Sequence, residues 1–171
     1  MKKLTGLALF FLMNFSVLFS QAYFYEPFSV NEMKTNSSSA ELSKSVDGAK
    51  IVDINFNTVN EILNKRSESI TVKLPFNGLN MQVNLHRFDI LKEGAKIVAG
   101  TPDGDVLLNR KNDFVSYTGN LNDKNSPLVV ITFFKDDVTA LVISNSETYV
   151  LAKQNTTGDF IAYQSSKLKI H

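Results

Sequence analysis

Residues 114–153 read FVSYTGNLNDKNSPLVVITFFKDDVTALVISNSETYVLAK, and this stretch decides the fold. Three runs dense in Val, Ile, Thr, Phe and Tyr follow one another: SPLVVITFFK at 126–135, VTALVIS at 138–144 and ETYVLAK at 147–153. Such residues fit a pleated, half-buried surface. The breaks are Asp136-Asp137 and Asn145-Ser146, polar pairs that tolerate the dihedrals of tight hairpin loops. Two-residue loops there set Lys135 opposite Val138, Phe133 opposite Ala140 and Ile131 opposite Val142. In the second hairpin they set Ile143 opposite Thr148 and Leu141 opposite Val150. The middle run is apolar on both faces, the pattern of a strand covered on both sides. The expectation is an antiparallel meander at the centre of a β-rich domain.

Upstream, residues 69–86 alternate: Ile70, Val72 and Leu74 with Thr71 and Lys73, then Asn77-Gly78, the strongest short hairpin signal. A two-residue loop pairs Phe76 with Leu79, Leu74 with Met81, Val72 with Val83 and Ile70 with Leu85, all on one face. Lys73/Gln82 and Thr71/Asn84 fall on the other, and a slip of one residue would scramble both faces. Pro75 falls opposite Asn80 beside the turn, where its missing N–H matters least if this edge is free. Beyond His86 the apolar phase moves to Phe88 and Ile90, which predicts a bulge or bend near Arg87.

Before this hairpin, Ile51–Asn55 reads as a short strand. Thr58, Val59, Asn60 and Glu61 then match a capping box, with Val59, Ile62 and Leu63 as an apolar stripe. One short helix, from Thr58 to about Lys65, is expected against the sheet. Residues 92–104 are turn-rich and read as a crossover, with Asp103-Gly104 marking a turn before Val106, Leu107 and Leu108. Residues 160–163 read as the last strand. The fold class that follows is mainly β with one short helix (α+β): a small antiparallel sheet or sandwich built from hairpins and a meander.

The N-terminus reads as an export signal. Lys2 and Lys3 precede an apolar run at 4–19, and Ser20-Gln21-Ala22 supplies small residues for cleavage between Ala22 and Tyr23. The run falls short of the ~20 apolar residues of a spanning helix. The organisation expected is a signal peptide at 1–22, a flexible Ser-, Asn- and Lys-rich arm at 23–50, a β-rich domain at 51–164 and a tail or linker at 165–171. Asn36-Ser37-Ser38 and Asn155-Thr156-Thr157 match the glycosylation acceptor pattern, which matters only on a eukaryotic secretory route. The localisation expected is secreted or extracytoplasmic.

The chain has 171 residues, net charge +1 and no cysteine. Disulfides and thiolate chemistry are thereby excluded. No strong field steers the chain to nucleic acid, or to a membrane once the signal is removed. His86 falls on the polar face of the first hairpin, His171 is the last residue, and the two do not fall at ligand spacing. Asp103-Gly104-Asp105 lacks the rest of a calcium loop, and Asp136-Asp137 reads as a turn former. Tyr117-Thr118-Gly119 reads as a ligand loop or as a strand end where Gly permits a turn. Arg110-Lys111 reads as a solvated turn. No catalytic, cofactor or metal residue emerges, so the chain is expected not to be an enzyme.

Ser116-Tyr117-Thr118-Gly119, then residues 125–130 (NSPLVV), 138–143 (VTALVI) and 147–151 (ETYVL) resemble the propeptide of reprolysin-type, adamalysin-like secreted zinc metalloproteases. That region carries a Tyr-x-Gly strand, a variable turn, a Ser-led apolar strand and a Tyr-x-Ile/Leu strand. The resemblance spans about 52–163. Pro127 and Phe133-Phe134 stand where such propeptides more often carry small residues, and the zinc-blocking cysteine of some members is absent. The resemblance implies a chaperone and latency factor for a zinc metalloprotease catalytic domain, in cis or in trans, with no cofactor of its own. The chain is then the N-terminal part of a precursor or a stand-alone relative. Without a thiolate, latency would come from shape, and the segment expected to contact the protease is the C-terminal end, through Ile161, Tyr163, Leu168 and Ile170. The alternative is a β-rich extracellular adhesion or scaffold module. An enzyme with an unrecognised site is a third reading.

Overall fold

The computed structural model describes residues 22–76, 81–91, 95–102, 104–108, 113–120, 127–144 and 146–169. The meander sits at the centre as expected. β8 (Phe114–Asn120), β9 (Leu128–Phe134), β10 (Val138–Ile143), β11 (Thr148–Lys153) and β12 (Phe160–Gln164) are consecutive antiparallel neighbours. On one side the sheet continues through β5 (Met81–Phe88) and β4 (Ser69–Leu74) to β1 (Tyr23–Tyr25), which pairs parallel with β4. On the other it continues through β3 (Lys50–Ile54) to β2 (Phe28–Val30). The result is one sheet of ten strands, larger than the small sheet expected.

The β10–β11 register is as read, with Leu141 opposite Val150 and Ile143 opposite Thr148. The β9–β10 register is not. Phe133 pairs with Val138, Ile131 with Ala140 and Val129 with Val142. Phe134 N–H donates to Asp137 O at 2.8 Å, so the loop is Lys135-Asp136, one residue earlier than expected. Asp137 belongs to the hairpin instead, its carboxylate accepting from Val138 N–H at 2.7 Å. The partner shift is two residues, which preserves every face. Coverage on both sides of β10 does not hold. Val138, Ala140 and Val142 are fully buried, but Ile143 is 43% exposed on the opposite face.

The β4–β5 register matches at all six described pairs, from Ser69 opposite His86 to Leu74 opposite Met81. The expected Phe76–Leu79 pair and the Asn77-Gly78 turn involve residues outside those described. The free edge beside Pro75 is partly closed, since β1 covers β4 from Ile70 to Val72. No bulge interrupts β5 at Arg87. The strand runs on and pairs with β8 from His86 to Phe88. The apolar phase changes because Arg87 keeps the inward parity of Leu85. Its guanidinium donates to Arg66 O at 2.7 Å and pairs with Glu68 at 2.5 Å.

Residues 23–50, expected as a flexible arm, contribute β1, β2 and two short helices, α1 (Glu32–Ser37) and α2 (Ser39–Ser45). Composition hid the anchors. Tyr25, Phe28, Leu42 and Val46 are buried apolar side chains, and Thr35 Oγ1 accepts from Ile51 N–H at 2.8 Å. Asn31 caps α1 by accepting from Lys34 N–H at 2.9 Å. Lys34 pairs with Asp159 at 2.5 Å, tying α1 to the β11–β12 turn.

The third helix, α3 (Phe56–Lys65), starts ahead of the expected capping box. Asn55, not Thr58, is the N-cap; its side chain accepts from Asn57 and Thr58 N–H at 3.1 and 3.3 Å. Glu61 instead pairs with Lys65 one turn on, at 2.7 Å. Val59 and Ile62 face the sheet and are almost fully buried, as the stripe predicts. The helix ends at Arg66, which takes a left-handed conformation at φ 45°. That costs a non-glycine residue free energy. Two hydrogen bonds offset it: the guanidinium donates to Phe114 O at 2.9 Å, and Arg66 O accepts from Arg87.

The sheet curls around this core. Phe28 on β2, an edge strand, stacks on Phe133 of central β9, with ring centroids 6.4 Å apart. Tyr117 meets Phe133 edge-on at 6.2 Å. Between β5 and β8, where the sequence predicts a turn-rich crossover, β6 (Ile97–Thr101) pairs with β7 (Gly104–Leu108) as a second, two-stranded sheet. Gly104, at φ 111°, supplies the left-handed backbone that its turn requires.

Candidate functional site

The curled sheet has two unlike ends. At one, α3 packs against β8 and β9, and Phe56 meets Phe160 at 6.0 Å. At the other, the inward face runs out into polar residues. Lys50 pairs with Ala162, and Tyr149 pairs with Gln164. These four continue the inward parity of Val52, Phe160 and Leu151. Phe76, just past β4, closes over them and packs on Tyr149 at 5.5 Å. A cleft of about 350 Å³, partly open to solvent, lies there.

Its floor is apolar and aromatic, formed by Pro75, Phe76, Tyr149 and Ala162. Gln164 Nε2 donates to the Tyr149 hydroxyl at 3.2 Å, fixing that ring. Its rim carries Asp47, Lys50 and Lys167. Asp47 is engaged by Lys169 at 2.8 Å. Lys50 pairs at 2.9 Å with Glu32, whose carboxylate is 60% exposed, so water competes for that pair. No carboxylate among the described residues pairs with Lys167. A further hollow, beside Arg66 and Phe88, is about 20 Å³, room for one water molecule.

Of the expected protease-contacting residues, Ile161, Tyr163 and Leu168 fall among those described. Ile161 and Tyr163 lie within β12, and Tyr163 lines the cleft. A 3-10 turn follows at Ser165–Lys167, and Leu168 bridges Val46. Asp47 N–H donates to Lys167 O at 3.1 Å, and Lys169 N–H to Ser45 O at 2.8 Å. Glu147 holds the turn. It accepts from the Ser166 hydroxyl and, at 2.9 Å, from Thr148 N–H, and the Ser166 bond foremost lowers its carboxyl pKa below the ordinary value. Serines that read as linker composition are the ligands of one carboxylate. Ile170 falls outside the described residues. Ala22 is exposed and Tyr23 opens β1, so the expected cleavage junction lies at the sheet's first strand.

Tyr117-Thr118-Gly119 is neither a ligand loop nor a turn. Tyr117 is fully buried within β8 and donates from its hydroxyl to Ser67 O at 3.0 Å. A Cβ on Gly119 would lie 2.2 Å from Asn84 O, so only glycine lets β8 approach β5 there. His86 Nδ1 shares a hydrogen bond with Ser69 Oγ at 2.9 Å across the hairpin. Among the described residues no three His, Asp or Glu side chains cluster to hold a metal, and no helix is long and apolar enough to cross a membrane.

The cleft was not read from the sequence. Its parts come from 47–50, 75–76, 149 and 162–167, brought together only by strand order. Compared with protein-family models, with curated proteins and with solved structures, the chain has no match.

Proposed function

We propose that this chain is a non-catalytic, exported, propeptide-like domain that helps a zinc metalloprotease catalytic domain to fold and holds it latent by binding. The observation that carries the reading is the path of the C-terminal segment. Residues 165–169 run along Ser45–Asp47 at the rim of the cleft, fixed by Glu147, Val46 and the backbone of Ser45. A domain joined there in cis would be held at the cleft mouth at high effective concentration. Most of the described residues that carry the propeptide resemblance, 116–119, 128–130, 138–143 and 148–151, fall on four adjacent strands, β8 to β11.

The second reading, an extracellular adhesion or scaffold module, draws on the β6–β7 hairpin. Val98 and Leu107 pair on one of its faces, and Val106 opposite Ala99 lies on the other. Val98, Val106 and Leu107 are 50%, 48% and 62% exposed. A two-stranded hairpin with apolar residues on both faces is a marginal element by itself and a natural contact surface.

The test uses purified residues 23–171 with the cognate catalytic domain. The chain should slow cleavage of a peptide substrate and raise the yield of active protease on refolding. If it does neither, the propeptide reading fails and the adhesion or scaffold reading takes its place.

A further inference from the structure

We propose that the open end of the sheet binds an extended peptide segment that presents an aromatic or long apolar side chain next to a carboxylate. The inference goes beyond the protease reading, since it concerns what the cleft holds, whichever protein supplies it. Three features set the ligand chemistry.

The floor is a ring surface. Phe76 and Tyr149 meet at 49°, and the Gln164 amide locks the Tyr149 hydroxyl, so the wall an entering ring would stack on is already ordered. The rim favours an anion. Asp47 is taken by Lys169, whereas Lys167 faces no described carboxylate and the Lys50 pair with exposed Glu32 is open to exchange. An ammonium beside an apolar floor donates a charge-assisted hydrogen bond to a carboxylate. Two lysines do not make the extended basic track that nucleic acid requires.

Shape selects a peptide. A hollow of about 350 Å³, partly open to solvent, is at the small end of ligand sites. It suits one or two side chains whose backbone stays outside. Gly48 adds space: a Cβ there would meet nothing within 4 Å, so a backbone has room to pass over the rim.

The experiment is amide-shift titration of ¹⁵N-labelled residues 23–171 with three probes: acetyl-Phe-Asp-amide, acetyl-Phe-Asn-amide and acetyl-Gly-Asp-amide. The first should shift Gly48, Ala162 and Gln164 saturably at about millimolar Kd or tighter. The second should bind roughly tenfold weaker, the worth of one hydrogen bond to a charged group. The third should give no saturable shift. Lys167→Ala should reduce the Phe-Asp probe to the level of the Phe-Asn probe while leaving Phe-Asn binding unchanged, a control that an unfolded variant could not meet. Absent cleft shifts, shifts confined to the β6–β7 hairpin, or equal affinity for the Asp and Asn probes would overturn the proposal. Binding of acetyl-Gly-Asp-amide as tight as that of the Phe-Asp probe would overturn the role of the aromatic floor.

Discussion

The two ends of the curled sheet are lined by different strands and differ in chemistry. At the α3 end Val59, Ile62, Val115, Tyr117 and Phe133 are at or near zero exposure, and the one inward charge named there, Arg87, is engaged by Arg66 O and Glu68. At the other end the inward rows of β3, β11 and β12 finish in Lys50, Tyr149 and Gln164, which are only partly buried. The first end has a helix to cover it. The second has only Phe76 and a pinned C-terminal turn. A closed end contributes stability through buried area; an open end leaves ordered aromatic and cationic groups free to meet something else.

That contrast is broken if the wall between the ends proves unimportant. Val72 is fully buried on β4, and an aspartate there is an uncompensated charge in the core. Val72→Asp should cost more than about 4 kcal/mol or abolish folding. Lys73, the next residue, faces solvent near Glu26 at 3.4 Å. Lys73→Asp should cost less than about 1 kcal/mol. Coinciding urea midpoints for the two variants would show that the strand faces are misassigned.

The contrast sharpens with two aromatic truncations. Phe133→Ala at the closed end removes a ring that stacks on Phe28 and meets Tyr117, and should cost about 3–5 kcal/mol. Tyr149→Ala at the open end should cost roughly half that or less, because its ring is only partly buried. Similar losses by chemical denaturation would mean that the open end is core after all.

These pairs also show what the sequence makes legible. In β4–β5 the apolar alternation is strict, so one register buries everything, and all six described pairs follow it. In β9–β10, Lys135, Asp136 and Asp137 all suit a turn. Sliding by two residues keeps each face apolar, and nothing in the alternation selects between the two registers. The arm at 23–50 was misread because Tyr25, Phe28, Leu42 and Val46 are sparse among polar residues. Their worth depends on a curled sheet that local pattern does not encode. The cleft was invisible for the same reason: Lys50, Phe76, Tyr149 and Lys167 carry no shared spacing.

A smaller effect probes the closed end by pH. Burial pushes the Tyr117 hydroxyl up to about 12, against about 10 in the unfolded chain. Between those values the unfolded chain sheds the proton that the folded chain keeps. The folded state then binds more protons, and stability falls as pH rises. The loss from pH 9 to 12 should be on the order of 2 kcal/mol greater than in Tyr117→Phe. Parallel pH profiles by urea denaturation would show that the phenol is not desolvated when folded.

If the catalytic domain binds as proposed, the open end meets it and the α3 end stays structural. Amide hydrogen exchange of residues 23–171, with and without the metalloprotease catalytic domain, tests it most directly. New protection should arise at Gly48, Lys50, Ala162, Gln164 and Lys167, with α3 and β9 unchanged. Protection confined to the β6–β7 hairpin, or none anywhere at saturating protease, would contradict it.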